Sequence, residues 1–144
     1  AYTPQFFTET PRWKSATTCA VEAAEMPFRM IPDLLGGFAV SHDFTNEFLN
    51  EKGIDVPLWT PAEAGVTLAK LVESNRFTLY EHFITDKIGH DQDFERAKSH
   101  LPKLAEMIRT VLENINLEKT TFILTSDHGN IEDLSVRNHT LNRV

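Results

Sequence analysis

Two stretches decide the fold: RFTLYEHFITDKIGH, residues 76–90, and TTFILTSDHGN, residues 120–130. The first is dense in Phe, Tyr, Thr and Ile, which suit a pleated, half-buried surface, so it reads as a strand over Phe77–Thr85. The second is a short apolar run with β-branched residues that reaches Asp127, the pattern of a buried strand. Between them Phe94, Ala97, Leu101, Leu104, Ile108, Val111 and Ile115 recur every three or four residues. That period predicts a helix from about Asp93 to Ile115, kinked at Pro102. Upstream, TPAEAGVTLAKLVES (60–74) opens with Thr60 as cap, Pro61 in the first turn and Glu63 closing a capping box. Val66, Leu68, Leu71 and Val72 give it an apolar stripe.

Helix, strand, helix, strand is the order of an α/β fold: a parallel-sheet core with helices on its faces. In such sheets ligands bind beyond the carboxyl ends of the strands. A right-handed crossover would bring Asp86, ending one strand, and Asp127, ending the next, to one edge. The N-terminal part is less regular. FFTETPRWKS (6–15) reads as loop, SATTCAVEAAEM (15–26) as a helix capped by Ser15, MPFRMIPDLLGGFAV (26–40) as an irregular connection, and SHDFTNEFLNEKG (41–53) as a helix ended by Gly53.

With 144 residues, 41% hydrophobic and 24% charged, the chain suits one globular domain spanning 1–144. The net charge of -7 disfavours nucleic acid or an anionic membrane as main partner. An anionic substrate stays compatible if cations occupy the site. Cys19 is the single cysteine, so no internal disulfide forms, and a reducing, cytoplasmic setting is the expectation. No apolar run reaches the length of a membrane span, and no signal peptide is visible.

The chemistry-bearing residues fall in three short segments. TDKIGH supplies Asp86 and His90, with Gly89 freeing a tight turn; SDHGN supplies Asp127 and His128, with Gly129 in the same role; NHT supplies His139. Mixed imidazole and carboxylate ligands suit zinc, manganese or iron better than calcium or magnesium. Five ligands exceed what one tetrahedral ion needs, so two ions sharing the set is the natural reading. Each segment alone has a plainer meaning: Asp86 as a helix cap, DHG as a common turn, His139 as a surface histidine. Their convergence on one strand edge is what favours metal. His42, His82 and His100 lack that support: His82 and His100 read as surface or core-edge residues, and His42 as a helix N-terminal residue beside Asp43.

TSDHGNIED followed by HTLN resembles the C-terminal metal-binding signature of the alkaline phosphatase superfamily, and most closely its cofactor-independent phosphoglycerate mutases and their metalloenzyme relatives. ITDKIGH is similar to that family's other metal segment. The resemblance covers the region from about Thr60 onward. It implies two divalent ions, usually manganese or zinc: Asp86, His90 and His139 would share one, and Asp127 and His128 would hold the other. It implies phosphoryl transfer to or from a small phosphorylated substrate, through a covalent intermediate on a metal-activated Ser or Thr.

The chain departs from the family pattern in lacking an early strand ending in Asp-Gly and a clear nucleophile segment. Where the family continues with PVP, Arg143 takes the place of the first Pro and the sequence stops at Val144. The expectation is therefore the C-terminal portion of a longer enzyme, with the nucleophile elsewhere and a sheet edge open to pairing with another chain. Thr17 and Thr18, with Lys14 nearby, offer an internal alternative, but a hydroxyl-rich helix cap over a buried Cys19 is the favoured reading. A non-catalytic or degenerate metal-binding domain is the competing class. Sulfatase- and phosphodiesterase-like activities belong to the same superfamily.

Overall fold

The computed structural model describes residues 2–8 and 14–142. The order is α1 (Gln5–Thr8), α2 (Ala16–Ala23), α3 (Ile31–Leu35), α4 (Glu47–Glu51), α5 (Pro61–Ser74), α6 (Ile84–Asp91) and α7 (Phe94–Asn114). The expected loop over 6–15 lies partly outside the described residues, as do Arg143 and Val144.

The expected parallel sheet is not there. Among the described residues no strand ladder forms, and β pairing is limited to two isolated bridges, Tyr2–Met30 and Gly129–Thr140. Residues 77–83 and 120–126 are neither helical nor paired. A strand needs a neighbour for its N–H and C=O groups. Neither segment has one, and apolar side chains meant for a sheet face stand in solvent: Phe77 is 81% exposed and Ile123 78%. The end of the first segment departs further. Ile84 and Ile88, one helical turn apart, are both buried with Ala97, and this anchoring draws Ile84–Asp91 into α6 rather than a strand. Without the sheet, the edge expected to pair chains is also absent among these residues.

The helices read from periodicity do form. Thr60 caps α5 by accepting from the Glu63 N–H, while the Glu63 carboxylate accepts from the Thr60 N–H, closing the capping box. The helix expected from about Asp93 to Ile115 is α7, capped by the Asp93 side chain and passing through Pro102. These two helices build the main core: Ala64, Leu68 and Ala69 meet Met107 and Val111, with Ile115 at the end of α7, and Phe44 fills the gap. Gly65 allows the contact, since a Cβ there would lie 2.8 Å from the Met107 carbonyl oxygen and 2.6 Å from Thr110 Cβ. The buried stripe of α5 thus runs through small residues as well as Leu68.

Residues 41–53 are helical only over α4. Ahead of it, Ser41, Asp43, Thr45 and Asn46 are buried in a turn where Phe44 and Asn46 adopt positive φ. The Asp43 carboxylate accepts from the Ser41 hydroxyl and, at 2.7 Å, from the Phe48 N–H. Short polar side chains bonding nearby backbone compete with helix formation, which delays the start of α4. Gly53, at φ 77°, takes its expected left-handed place after the helix. The expected irregular connection contains α3, with Pro32 in its first turn.

At α2, Ser15 accepts from the Thr18 N–H, as expected of its cap. Thr17 donates to Glu81, Thr18 is buried against the Tyr2 hydroxyl, and Lys14 is paired with Glu22 at 2.6 Å. Cys19 is exposed, contrary to expectation.

Candidate metal centre

α6 carries the first two ligand candidates. Asp86 and His90 are one turn apart, on the side opposite the buried Ile84 and Ile88, so they reach out of the helix together. His90 Nε2 lies 3.4 Å from Asp86 Oδ1. The spacing of four is therefore a helical spacing and not the product of a turn at Gly89. Beside α6, Ile131 and Leu134 pack on Ile84, Ile88 and Ala97 and so fix the 128–140 loop against the helix.

The loop is closed by a clasp. Gly129 and Thr140 exchange backbone hydrogen bonds of 3.3 and 2.8 Å. The Glu132 carboxylate ties both sides, accepting from the Thr140 hydroxyl, from the Asn130 N–H at 2.6 Å and from the Asn142 amide at 3.1 Å. These donors, the Thr140 hydroxyl foremost, hold its carboxyl well below the ordinary range, at about 2. A Cβ on Gly129 would come within 2.5 Å of Asn142 O and Glu132 Oε1. Its role is thus close approach, not the turn freedom expected of it.

The clasp delivers His139 to α6. Its Nε2 lies 3.3 Å from Asp86 Oδ1 and 3.0 Å from His90 Nε2. Ligating atoms of Asp86, His90 and His139 all fall within 4.8 Å of one another. His128 stacks on His139 with ring centroids 3.5 Å apart and places its Nε2 3.9 Å from the same Asp86 oxygen. Asp127 stays at the rim: its side chain is 88% exposed and reaches the group only through His128, whose Nε2 is 3.6 Å away.

The donor set fits a divalent ion. Bonds of about 2.0–2.2 Å at tetrahedral angles separate two ligand atoms by roughly 3.3 Å, close to the distances around Asp86 Oδ1. His90 donates its Nδ1–H to the Arg137 carbonyl at 2.8 Å, which leaves the Nε2 lone pair facing the group.

The sequence reading missed Asn130 and Glu132. Asn130 is buried and donates to Asp86 Oδ1 at 3.2 Å. Its place directly after DHG was the available signal. It also missed that His82 and His100 meet, Nε2 to Nε2 at 2.9 Å, away from the ligand group.

A model of the metalloenzyme superfamily matches residues 46–144, a span that takes in every one of these side chains. The chain belongs to the metalloenzyme superfamily. Membership implies divalent metal binding. The chain is similar to 2,3-bisphosphoglycerate-independent phosphoglycerate mutase 1 of Archaeoglobus fulgidus, 38% identical over 86 residues, covering 59% of this chain and 20% of that protein. It is also similar to the corresponding mutases of Methanocaldococcus jannaschii (34% over 62 residues) and Methanococcus vannielii (32% over 62 residues), each covering 43% of this chain and 15% of the relative. The matches thus span a fifth or less of the length of these relatives. No solved structure matches. The kinship read from the DHGN and TDKIGH segments is therefore borne out, and no helix among the described residues is long and apolar enough to cross a membrane.

Proposed function

We propose that these residues form the C-terminal part of a metalloenzyme domain that transfers phosphoryl groups on a small phosphate ester. Asp86, His90 and His139 hold one divalent ion, manganese or zinc, while Asp127 and His128 contribute to a second. The observation that carries the reading is the meeting of one carboxylate oxygen and two imidazole nitrogens within 4.8 Å, from segments 49 residues apart. The names of the relatives, all phosphoglycerate mutases, support phosphate-ester chemistry. Their greater length supports a nucleophile contributed from outside this chain.

A bound ion would supply positive charge to phosphoryl oxygens and lower the pKa of an attacking hydroxyl. The chain's own part is to orient. The Arg137 carbonyl fixes the His90 tautomer, the Gly129–Thr140 clasp sets His139, and the stacked His128 shields one face of His139 from water. Asp127, exposed at the rim and accepting from the His128 N–H through one oxygen, would offer its carboxylate to a second ion.

The test is metal content and turnover. Metal-free protein, dialysed against manganese or zinc, is expected to retain the ion, and His139→Ala to release it. The intact enzyme should hydrolyse or isomerise a phosphate ester only with the ion present. Retention of metal by His90→Ala and His139→Ala alike would overturn the ligand assignment. Turnover indifferent to chelators would overturn the activity.

A further inference from the structure

Four polar contacts of the cluster converge on a single atom. Asp86 Oδ1 lies 3.4 Å from His90 Nε2, 3.3 Å from His139 Nε2 and 3.9 Å from His128 Nε2, and accepts the Asn130 amide at 3.2 Å. The three imidazoles are half-buried or exposed. Asn130 is different, being only 4% exposed. Its Oδ1 is buried with no hydrogen-bond partner. A buried acceptor without a partner is costly, so a side chain serving only to fill space would be better apolar. The amide is held in one orientation for a reason: reversing it would aim its oxygen at a carboxylate.

The backbone around Asn130 is fixed without help from any ion. Its N–H is bound by Glu132, the preceding Gly129 is clasped to Thr140, and the following Ile131 packs into the small core of α6. On the helix side, the Asn130 amide occupies the space a side chain at residue 89 would fill: a Cβ on Gly89 would fall on Asn130 Oδ1 and lie 3.2 Å from its Cβ. Gly89 is helical with ordinary φ, so its lack of a side chain serves this contact and no turn.

We infer that Asn130 is a positioning residue for the metal centre: it locks the Asp86 carboxylate so that Oδ1 faces the imidazoles, and Gly89 is the opening that admits it. This rests on the metal reading above. Asp86 is 40% exposed and would otherwise sample solvent-facing rotamers. A donor on a rigid loop removes that freedom before the ion arrives, as partners behind metal ligands generally do.

The experiment is a titration of the metal-free chain with Mn²⁺, followed by Co²⁺ visible spectra at saturation, for the parent, Asn130→Ala, Asn130→Leu and His139→Ala. Circular dichroism of each metal-free protein first establishes folding. Asn130→Ala is expected to weaken Mn²⁺ about ten- to a hundred-fold and to alter the Co²⁺ band, since the carboxylate no longer presents one fixed oxygen. If Asn130→Ala does not fold, Asn130→Leu keeps the volume, removes the N–H and carries the same expectation. A folded Asn130 variant with parental affinity and an unchanged Co²⁺ spectrum overturns the inference, while His139→Ala loses metal. Parental affinity in His139→Ala itself sinks the metal reading instead, which keeps the two failures apart.

Discussion

At the scale of single residues, the centre depends on which glycines stand behind it. Gly89→Ala would gain up to about 1 kcal/mol of helix propensity. The new methyl would meet the Asn130 amide, and forced overpacking costs typically 1–3 kcal/mol. The clash wins because Asn130 is pinned from both sides by Glu132 and Ile131. Gly89→Ala should therefore lower the melting temperature, and the penalty should shrink when Asn130→Ala is added. Contacting residues show such coupling, distant ones do not. Thermal denaturation of the two single variants and the double variant checks this; simple additivity would show that the two residues do not share the space. His90→Ala and His139→Ala act differently. Each removes a candidate ligand and should weaken manganese or zinc by more than about a hundred-fold, beyond the roughly ten- to a hundred-fold loss typical of supporting residues. Equilibrium titration of the metal-free variants reads that directly.

At the scale of elements, the α5–α7 contact is set by backbone approach. Gly65→Ala should destabilise the protein by about 1–3 kcal/mol, because the added methyl meets the Met107 carbonyl rather than a flexible tip. Thr60→Ala should cost about 1 kcal/mol through the lost cap. Denaturant midpoints measure both, and a stabilised Gly65→Ala would mean the helices have room to part. α5 and α7 were legible because their information is local: a cap, a capping box and a sustained 3.6-residue period lie in each sequence itself. α6 was not. The residues leading into it, Phe77 to Thr85, satisfy a β reading, and only the burial of Ile84 and Ile88 against Ala97, a tertiary fact, turns the end of that segment into helix. The Asp86–His90 spacing served either reading, so the candidate pair was singled out by an argument whose geometry did not hold. Asp127, His128 and His139 were singled out as candidates by residue type. Asn130 and Glu132 escaped because an Asn and a Glu in a loop carry no periodicity, and their worth lies in partners across the chain.

At the scale of the whole molecule, the two histidine groups divide the labour of the fold. The ligand group on α6 and its loop faces outward, whereas His82 and His100 join the 77–83 segment to α7. Their rings are stacked within 2° of parallel, and His82 Nδ1 donates to the His42 carbonyl at 2.7 Å. Burial lowers the His82 pKa from 6.5 to about 4, against the hydrogen bond to the His42 carbonyl and, less, the Asp43 charge, which pull the other way, and burial moves His42 and His100 in the same direction. Lys103 and Arg96 add to the lowering at His100, while Glu47 and Asp43 oppose it. The folded protein thus prefers these imidazoles neutral, and the unfolded chain binds protons first as the pH falls. Stability is fully present above about pH 6.5 and is lost progressively toward pH 4, with His82 alone contributing on the order of 2 kcal/mol between pH 7 and pH 5. Melting of the metal-free protein should therefore shift downward across that window, and the shift should shrink in His82→Gln, which can keep a donor to the His42 carbonyl but does not titrate. Equal pH slopes in the parent and in His82→Gln would show that this buried pair does not govern the acid side of the stability curve.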